Sequence, residues 1–269
     1  MPFSCRGQSS TSIVPEGLRN KSKQHNNLIS LVHEGQPGTL QMSTNRQLIL
    51  PFALPYLAYV AIASFFDGLL SIEVNYALRI AVVISLLAWS RRWYFSFKGP
   101  SAPGVSVAIG LAGGLVGAVI WISLLAPFTL HTETTPWSNT AFLLRLAAAG
   151  LLVPVFEELL MRGFVFRLAL QWDQARKLGD KEPLQTALDD KSVNEVKAGE
   201  WSWMAVAIST AAFTSGHQIE EWPASIAFGL LMSFLWVYQK DLLSCVVAHA
   251  VTNIALACYV LLTGNWQFW

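Results

Sequence analysis

The sequence predicts an all-α fold, namely a polytopic bundle of transmembrane helices. Its 269 residues are 53% hydrophobic and 13% charged, and the mean hydropathy is +0.43. Soluble domains contain about 25% charged residues, so this composition is typical of an integral membrane protein. A second observation is a series of apolar runs, most of them close to the length that crosses a bilayer. The third is that Lys and Arg fall on alternate connections between these runs.

Seven spans are predicted in chain order, at residues 48–66, 76–89, 104–128, 141–172, 201–217, 222–238 and 242–263. The third span carries four glycines that predict a small-residue face for close helix packing, Gly110, Gly113, Gly114 and Gly117. Residues 1–41 are polar and predict a disordered N-terminal extension, with Met42 as an alternative start. The bundle then occupies residues 42–269 and includes a polar cytoplasmic segment at 173–200.

The positive charges predict the orientation in the membrane. Lys and Arg precede the first span and follow the second, fourth and sixth spans, whereas the other connections contain neither residue. The C-terminal tail 264–269 also contains neither. The positive-inside rule therefore predicts a cytoplasmic N-terminus and a C-terminus on the opposite side. The formal net charge of +1 argues against a nucleic acid as partner.

Three charged residues near the middle of the fourth span need a physical reason. They are Glu157, Glu158 and Arg162, and each charge in hydrocarbon costs roughly 2.5–3.5 kcal/mol on insertion scales. Glu158 and Arg162 are four residues apart and share a helical face, so they can neutralise each other. Glu157 points about 100° away and gains no partner from its own helix. We interpret the pair as structural support and Glu157 as the carboxyl group available for chemistry.

Two later spans carry polar residues at helical spacing. Span five ends in Phe213-Thr-Ser-Gly-His217, and span seven carries His249 and Asn253 on one face. Intramembrane polar residues usually face the bundle interior or a wet cavity, so we expect these groups to converge with Glu157. Taken singly, each histidine or the asparagine has a structural alternative as a hydrogen bond between helices. Their joint occurrence favours a functional site.

This set of groups predicts hydrolysis of an amide bond within the membrane. A carboxylate in low-dielectric surroundings can act as a general base toward water, and a nearby imidazole can share the proton or orient the attack. A second imidazole and a carboxamide can donate to a carbonyl oxygen that becomes an oxyanion. No serine lies in a nucleophile-elbow context, and no pair of aspartates is placed for an aspartic dyad.

Three motifs, in this order, resemble those of the CAAX-protease and bacteriocin-processing family of intramembrane endopeptidases. They are Glu157-Glu158-x-x-x-Arg162, Phe213-x-x-x-His217 and His249-x-x-x-Asn253, within roughly residues 140–260. The resemblance implies a glutamic-type protease in which Glu157 and His217 activate water. His249 and Asn253 would hold the oxyanion, and structural support would come from Glu158, Arg162 and Phe213. The stretch 249–269 is further similar to a bacterial branch associated with exosortase and PEP-CTERM sorting systems.

The resemblance also implies a location and partners. The protein would be a multi-pass protein of a bacterial inner (plasma) membrane, acting on a membrane-associated protein or peptide within the lipid bilayer. A functional link to an exosortase sorting system is implied by the finer similarity. Members commonly have eight spans, and an eighth would lie in 67–93 or near spans five and six. Family members have been treated as zinc enzymes, and Glu157, His217 and His249 could supply three ligands. No HExxH pairing is present, however, so we predict neither metal nor cofactor.

Two other functions stay open at this stage. A transporter or proton relay could hold the same polar residues, although the inverted repeats expected of a transporter are not found. A non-proteolytic scaffold or immunity-type protein could have kept the fold. Depth is a further difficulty, because His249 lies about 10–12 Å and His217 about 24 Å from the inner ends of their spans. We therefore predict that residues 218–221 form a buried turn rather than an external loop.

Overall fold

The computed structural model describes residues 43–129 and 134–269. The predicted disordered extension at 1–41 and the alternative start at Met42 lie outside these residues. Within the described residues all regular structure is helical and no strand occurs, which confirms the all-α prediction.

Eight α-helices occur in the described residues, and we number them in chain order. They are α1 (Asn45–Phe65), α2 (Ile72–Ser90), α3 (Pro103–Thr129), α4 (139–177), α5 (Pro183–Asp189), α6 (Trp203–Thr214), α7 (Trp222–Gln239) and α8 (Leu242–Thr263). Short 3₁₀ turns lie at Arg91–Trp93, Val193–Glu195, Ile219–Glu221 and Trp266–Phe268. The helix α5 and the turn at Val193–Glu195 belong to the polar segment between the fourth and fifth predicted spans.

Four helical stretches in the described residues are long and apolar enough to cross a membrane, at Asn45–Phe65, Ile72–Trp93, Pro103–Thr129 and Leu242–Thr263. These four mark an integral membrane protein. The predicted number of seven spans is not confirmed. The helix α6 has 12 residues, so it extends only about 18 Å, less than the roughly 30 Å of a hydrocarbon core.

The helix α4 coincides with the fourth predicted span and contains an irregularity that the sequence pattern did not predict. It is continuous from 139 to 177, but Ala148–Leu152 and Leu159–Val165 are π-helical. These two segments flank Glu157 and Glu158. Such π segments are rare within helices and are frequent at functional sites.

Each π segment also accepts a hydrogen bond from a neighbouring helix. The carbonyl oxygen of Ala149 accepts from Nδ2 of Asn253 on α8, at 2.7 Å. The carbonyl oxygen of Met161 accepts from Oγ of Ser209 on α6, at 2.9 Å. The two segments therefore hold α4 against α8 and α6 on either side of the paired glutamates.

The helix ends gather on two sides of the bundle. On one side, the side chain of Asn45 at the start of α1 donates to Oε1 of Gln171 at 2.6 Å and to the Ala187 carbonyl at 2.7 Å. On the same side, the start of α8 is fixed by a hydrogen bond from Leu242 N to Phe97 O at 3.1 Å. These contacts join the connections that carry Lys and Arg.

The connections without Lys or Arg meet on the other side. Oγ of Ser138 donates to Oε1 of Glu73 at 2.6 Å, which joins the start of α4 to the start of α2. The Phe142 ring packs on Trp269, with a centroid distance of 5.1 Å. Consecutive long helices therefore alternate in direction.

The small-residue face predicted on α3 is confirmed, and it packs against α8. A Cβ atom at Gly114 would lie 2.5 Å from the Ala248 carbonyl oxygen and 2.5 Å from Cβ of Val251. A Cβ atom at Gly117 would lie 2.6 Å from Oγ1 of Thr252. That hydroxyl donates to the Gly114 carbonyl at 2.9 Å. The glycines thus allow the backbone contact that fixes the position of α8.

Candidate active site

The four side chains predicted to be catalytic line the same cavity, whose volume is about 420 Å³. They are Glu157 on α4, His217 in the turn after α6, and His249 and Asn253 on α8. The structure therefore brings together one carboxyl group, two imidazoles and one carboxamide from three parts of the chain. The roles of these residues stay predictions.

A buried ion pair supports the cavity from within the bundle. Nη1 of Arg162 donates to Oε1 of Glu158 at 3.2 Å, and both side chains are 0% exposed. Nη2 of Arg162 donates to the Gly229 carbonyl at 3.0 Å, which ties α4 to α7. The Arg162 guanidinium also lies 5.5 Å from the centre of the Phe213 ring. The pairing expected from the spacing along α4 is thus present.

The imidazole of His249 lies between the two adjacent carboxyl groups of α4. Its Nδ1 is 2.9 Å from Oε1 of Glu158, and its Nε2 is 3.8 Å from Oε2 of Glu157. In the ion pair with Arg162, Glu158 is a carboxylate, and a carboxylate can only accept, so we assign the proton to Nδ1 of His249 as the donor. The spacing along α4 predicted Arg162 as a partner of Glu158, but it did not predict this second partner. Glu158 therefore contacts both Arg162 on its own helix and His249 on α8.

His217 reaches the cavity from a turn rather than from a helix. Its Nδ1 lies 2.9 Å from the Phe213 carbonyl, which can only accept, so Nδ1 carries a proton and donates it. Nε2 is then the nitrogen left to accept a proton or donate to a ligand. The ring packs between Phe213 and Trp121, with centroid distances of 4.6 and 5.4 Å. No ion pair joins His217 to Glu157 within the residues that the structure describes.

The amide of Asn253 has one of its two N–H groups engaged. That N–H donates to the Ala149 carbonyl in the first π segment of α4. Its second N–H and its Oδ1 form no hydrogen bond within residues 43–129 and 134–269. The contact fixes the plane of the amide at the wall of the cavity.

The prediction that other parts of the protein bury the turn at 218–221 is wrong. Gln218 and Glu220 are exposed, and Ile219 is 67% exposed. The depth estimate for His217 assumed one helix from 201 to 217, but α6 begins at Trp203 and ends at Thr214. The turn satisfies its own backbone, because Gln218 N donates to Oε2 of Glu221 at 3.0 Å.

Two arginines that were not among the predicted site residues also line the cavity. They are Arg79 on α2 and Arg145 on α4. Both lie within predicted spans, where a single ionisable residue is already a sign of function. That signal could have identified them from the sequence.

Metal binding receives no geometric support in the described part of the chain. There, no group of three or more His, Cys, Asp or Glu side chains is arranged to hold an ion. The three ligands considered from the sequence, Glu157, His217 and His249, line the cavity without forming such a group.

Comparison with known families gives one match. Residues 139–255 match the family described as Type II CAAX prenyl endopeptidase Rce1-like. This segment runs from the start of α4 into α8 and contains all three motifs. Residues 139–255 thus carry an Rce1-like domain of the CAAX-protease and bacteriocin-processing family. No curated protein and no solved structure matches the chain.

Proposed function

We propose that this protein is an intramembrane endopeptidase that hydrolyses a peptide bond of a membrane-associated protein or peptide. The observation that supports the proposal best is the placement of Glu157, His217, His249 and Asn253 on one cavity. The family match adds a protease class to that geometry. An unrelated set of interhelical hydrogen bonds would have no reason to leave these four groups facing the same space.

In this proposal Glu157 is the general base. The imidazole Nε2 of His249 lies 3.8 Å from Oε2 of Glu157, which is too long for a direct hydrogen bond. Its carboxylate is therefore free to take a proton from water as the water oxygen bonds to the substrate carbonyl carbon. The same proton passes to the amine nitrogen as the C–N bond breaks. His217 assists through Nε2, because Nδ1 is already engaged.

The oxyanion is stabilised by groups from α8. Glu158 fixes the His249 ring through Nδ1, so that Nε2 faces the cavity and can donate when protonated. Asn253 contributes its remaining N–H from one turn further along the same face. Donors held in place before the substrate binds favour the charge that develops on the carbonyl oxygen.

The proposal includes the predicted membrane topology. The helices α4 and α7, and the shorter α6 together with the turn that follows it, complete a seven-pass arrangement with the four long apolar helices. The Lys- and Arg-rich side faces the cytoplasm. The short α6 brings His217 into the bilayer from a turn. The bacterial inner membrane stays a prediction, as does the exosortase link, which the comparisons do not support.

The test compares the membrane proteomes of cells that produce the wild-type protein or Glu157→Gln. We expect at least one membrane-associated protein to be shortened only with the wild type. Glu220→Gln is the matched control, because this exposed glutamate lies outside the cavity, and it should behave as the wild type. Identical proteomes for wild type and Glu157→Gln would favour a scaffold. A proton relay would show a loss of ion coupling instead.

A further inference from the structure

Two cationic side chains line the cavity without a role in the proposed chemistry. The Arg79 guanidinium lies 3.9 Å from the Tyr76 ring centre and 4.7 Å from that of Tyr59. The Arg145 guanidinium lies 4.8 Å from the Trp269 ring centre and 5.1 Å from that of Trp137. The Tyr76 and Trp137 rings also pack together at 6.1 Å. The two arginines thus belong to one aromatic cluster.

Neither arginine has an anionic partner in the part of the chain that the structure describes. There, neither forms a salt bridge or donates a side-chain hydrogen bond, and Nε of Arg79 is buried without an acceptor. Arg162, in contrast, is held by Glu158 and by a backbone carbonyl. Arg79 and Arg145 are both half-buried, so each guanidinium loses part of its contact with water, which is costly unless its donors are satisfied.

The carboxyl groups of the cavity itself are directed elsewhere. Glu157 faces His249, and Glu221 accepts from the backbone N–H of Gln218. Cation–π contacts stabilise the arginines only partly, because a ring face satisfies none of the N–H donors in their plane. The cavity therefore offers two planar sets of donors to a ligand that carries its own anion.

We propose that Arg79 and Arg145 form a subsite for a carboxylate of the peptide substrate. This inference rests on the proposed endopeptidase function. A guanidinium fork matches the two oxygens of a carboxylate, and the aromatic rings around it exclude competing water. An acidic side chain and a free C-terminus supply the same carboxylate. A lipid phosphate is disfavoured because both arginines share the cavity that contains Glu157.

The geometry of α4 gives the position of this carboxylate on the substrate. Arg145 lies 12 positions before Glu157 on α4. Their backbone atoms are therefore about 18 Å apart along the helix axis. An extended peptide covers about 3.3 Å per residue. The carboxylate therefore lies about four to six residues from the scissile bond, on the side of the connections without Lys and Arg.

The experiment measures binding, so that it does not depend on cleavage. Glu157→Gln protein in phosphatidylcholine nanodiscs is offered a pool of apolar synthetic peptides, and captured peptides are identified by mass spectrometry. In the first set, each peptide carries either Glu or Gln at one position near one end, this position varies between peptides, and all peptides end in an amide. A second set lacks Glu and ends in either a carboxylate or an amide. In at least one set, we expect the peptides that carry the carboxylate (Glu or a free C-terminus) to be enriched about tenfold over the matched peptides that carry Gln or a C-terminal amide.

Substitution then assigns the enrichment to the subsite. The double variant Arg79→Gln/Arg145→Gln should lose the preference, whereas Arg92→Gln should keep it. Arg92 is the matched control, because it lies 3.9 Å from the Trp93 ring centre but outside the cavity. A preference that persists in the double variant overturns the subsite, and so does the lack of any preference.

Two further arms separate the alternatives. Phosphatidylglycerol nanodiscs should leave the preference unchanged, and its loss there would assign the arginines to a lipid headgroup and overturn the proposal. Cleavage of the captured peptides is followed separately with protein that retains Glu157. Preferential binding without any cleavage would uphold the carboxylate subsite and reject the endopeptidase function. Cleavage without a preference for carboxylate peptides would uphold the endopeptidase function and reject the carboxylate subsite.

Discussion

Nδ1 of His249 lies 2.9 Å from Oε1 of Glu158, although the two residues are 91 positions apart and belong to different helices. Through this contact, the histidine that faces the cavity depends on the buried ion pair of α4. Arg162 extends the same network to the Gly229 carbonyl of α7. The paired charges Glu158 and Arg162 thus connect α4 to α7 and α8 beside the cavity.

Replacing Glu158 by Gln should destabilise the fold. The substitution leaves Arg162 buried without its counter-charge, which costs about 3–5 kcal/mol. The readout is the temperature at which a thiol-reactive dye reaches Cys245, which is 0% exposed in the fold. The assay uses a Cys5→Ser/Cys258→Ser background. An unfolding temperature equal to that of Glu220→Gln would show that the pair gives no stability.

Replacing Gly114 by Ala should weaken the contact between α3 and α8. The new methyl group would meet the Ala248 carbonyl oxygen at 2.5 Å, and a backbone atom cannot move aside cheaply. We expect a loss of about 1–3 kcal/mol in unfolding free energy. Gly104→Ala is the matched control, since a Cβ there meets nothing within 4 Å. Equal stability of the two variants would argue against close packing at this site.

Stability should fall in acid partly through Asp173, which lies beyond the apolar part of α4. Lys177 and Arg176 contact its carboxylate at 2.7 and 2.9 Å and lower its pKa to about 2. The unfolded value is about 3.9, so this contribution is complete above pH 4 and is lost as the pH falls toward 2. Unfolding temperatures are measured from pH 6 to pH 2.

The variant Asp173→Asn should show a smaller drop over that range. Asp190→Asn serves as the control, because Asp190 is exposed and forms no salt bridge in the described residues. If the unfolding temperature of Asp173→Asn falls with pH as that of the wild type does, the ion pairs of Asp173 with Arg176 and Lys177 do not cause the loss of stability in acid.

The turn after α6 should be reachable by water. We expect Glu220→Cys, in the background without Cys5 and Cys258, to react with a membrane-impermeant maleimide from the side opposite the Lys- and Arg-rich connections. The exposure of Gln218 and Glu220 is the reason. Val206→Cys, on a buried position of α6, should not react. If Glu220→Cys reacts only after detergent is added, the result would support the prediction of a buried turn at 218–221.

Periodicity and charge predicted the parts of this fold that depend on neighbours along one helix. The Glu158–Arg162 pair and the glycine face of α3 follow from spacing alone. The approach of His249 to Glu158 does not, because it depends on how α8 packs on α4. The end of α6 at Thr214 was also missed, because the predicted span counted Ser215, Gly216 and His217 as its last turn.

The composition of the cavity was predicted in part. The three motifs identified its carboxyl group, imidazoles and amide because those residues are conspicuous in apolar helices. Arg79 and Arg145 were passed over, although each is equally exceptional in a span. The π segments around Glu157 have no period of their own in the sequence, so they are visible only in the folded structure.

The most direct test follows oxygen from water into new C-termini. Native membranes that contain wild-type protein or Glu157→Gln are incubated in H₂¹⁸O, and peptides are analysed by mass spectrometry. We expect labelled C-termini to form with the wild type and to form at least about 100-fold more slowly with Glu157→Gln, at equal dye-detected stability. Equal rates of label incorporation in the two membranes would show that Glu157 is not the general base.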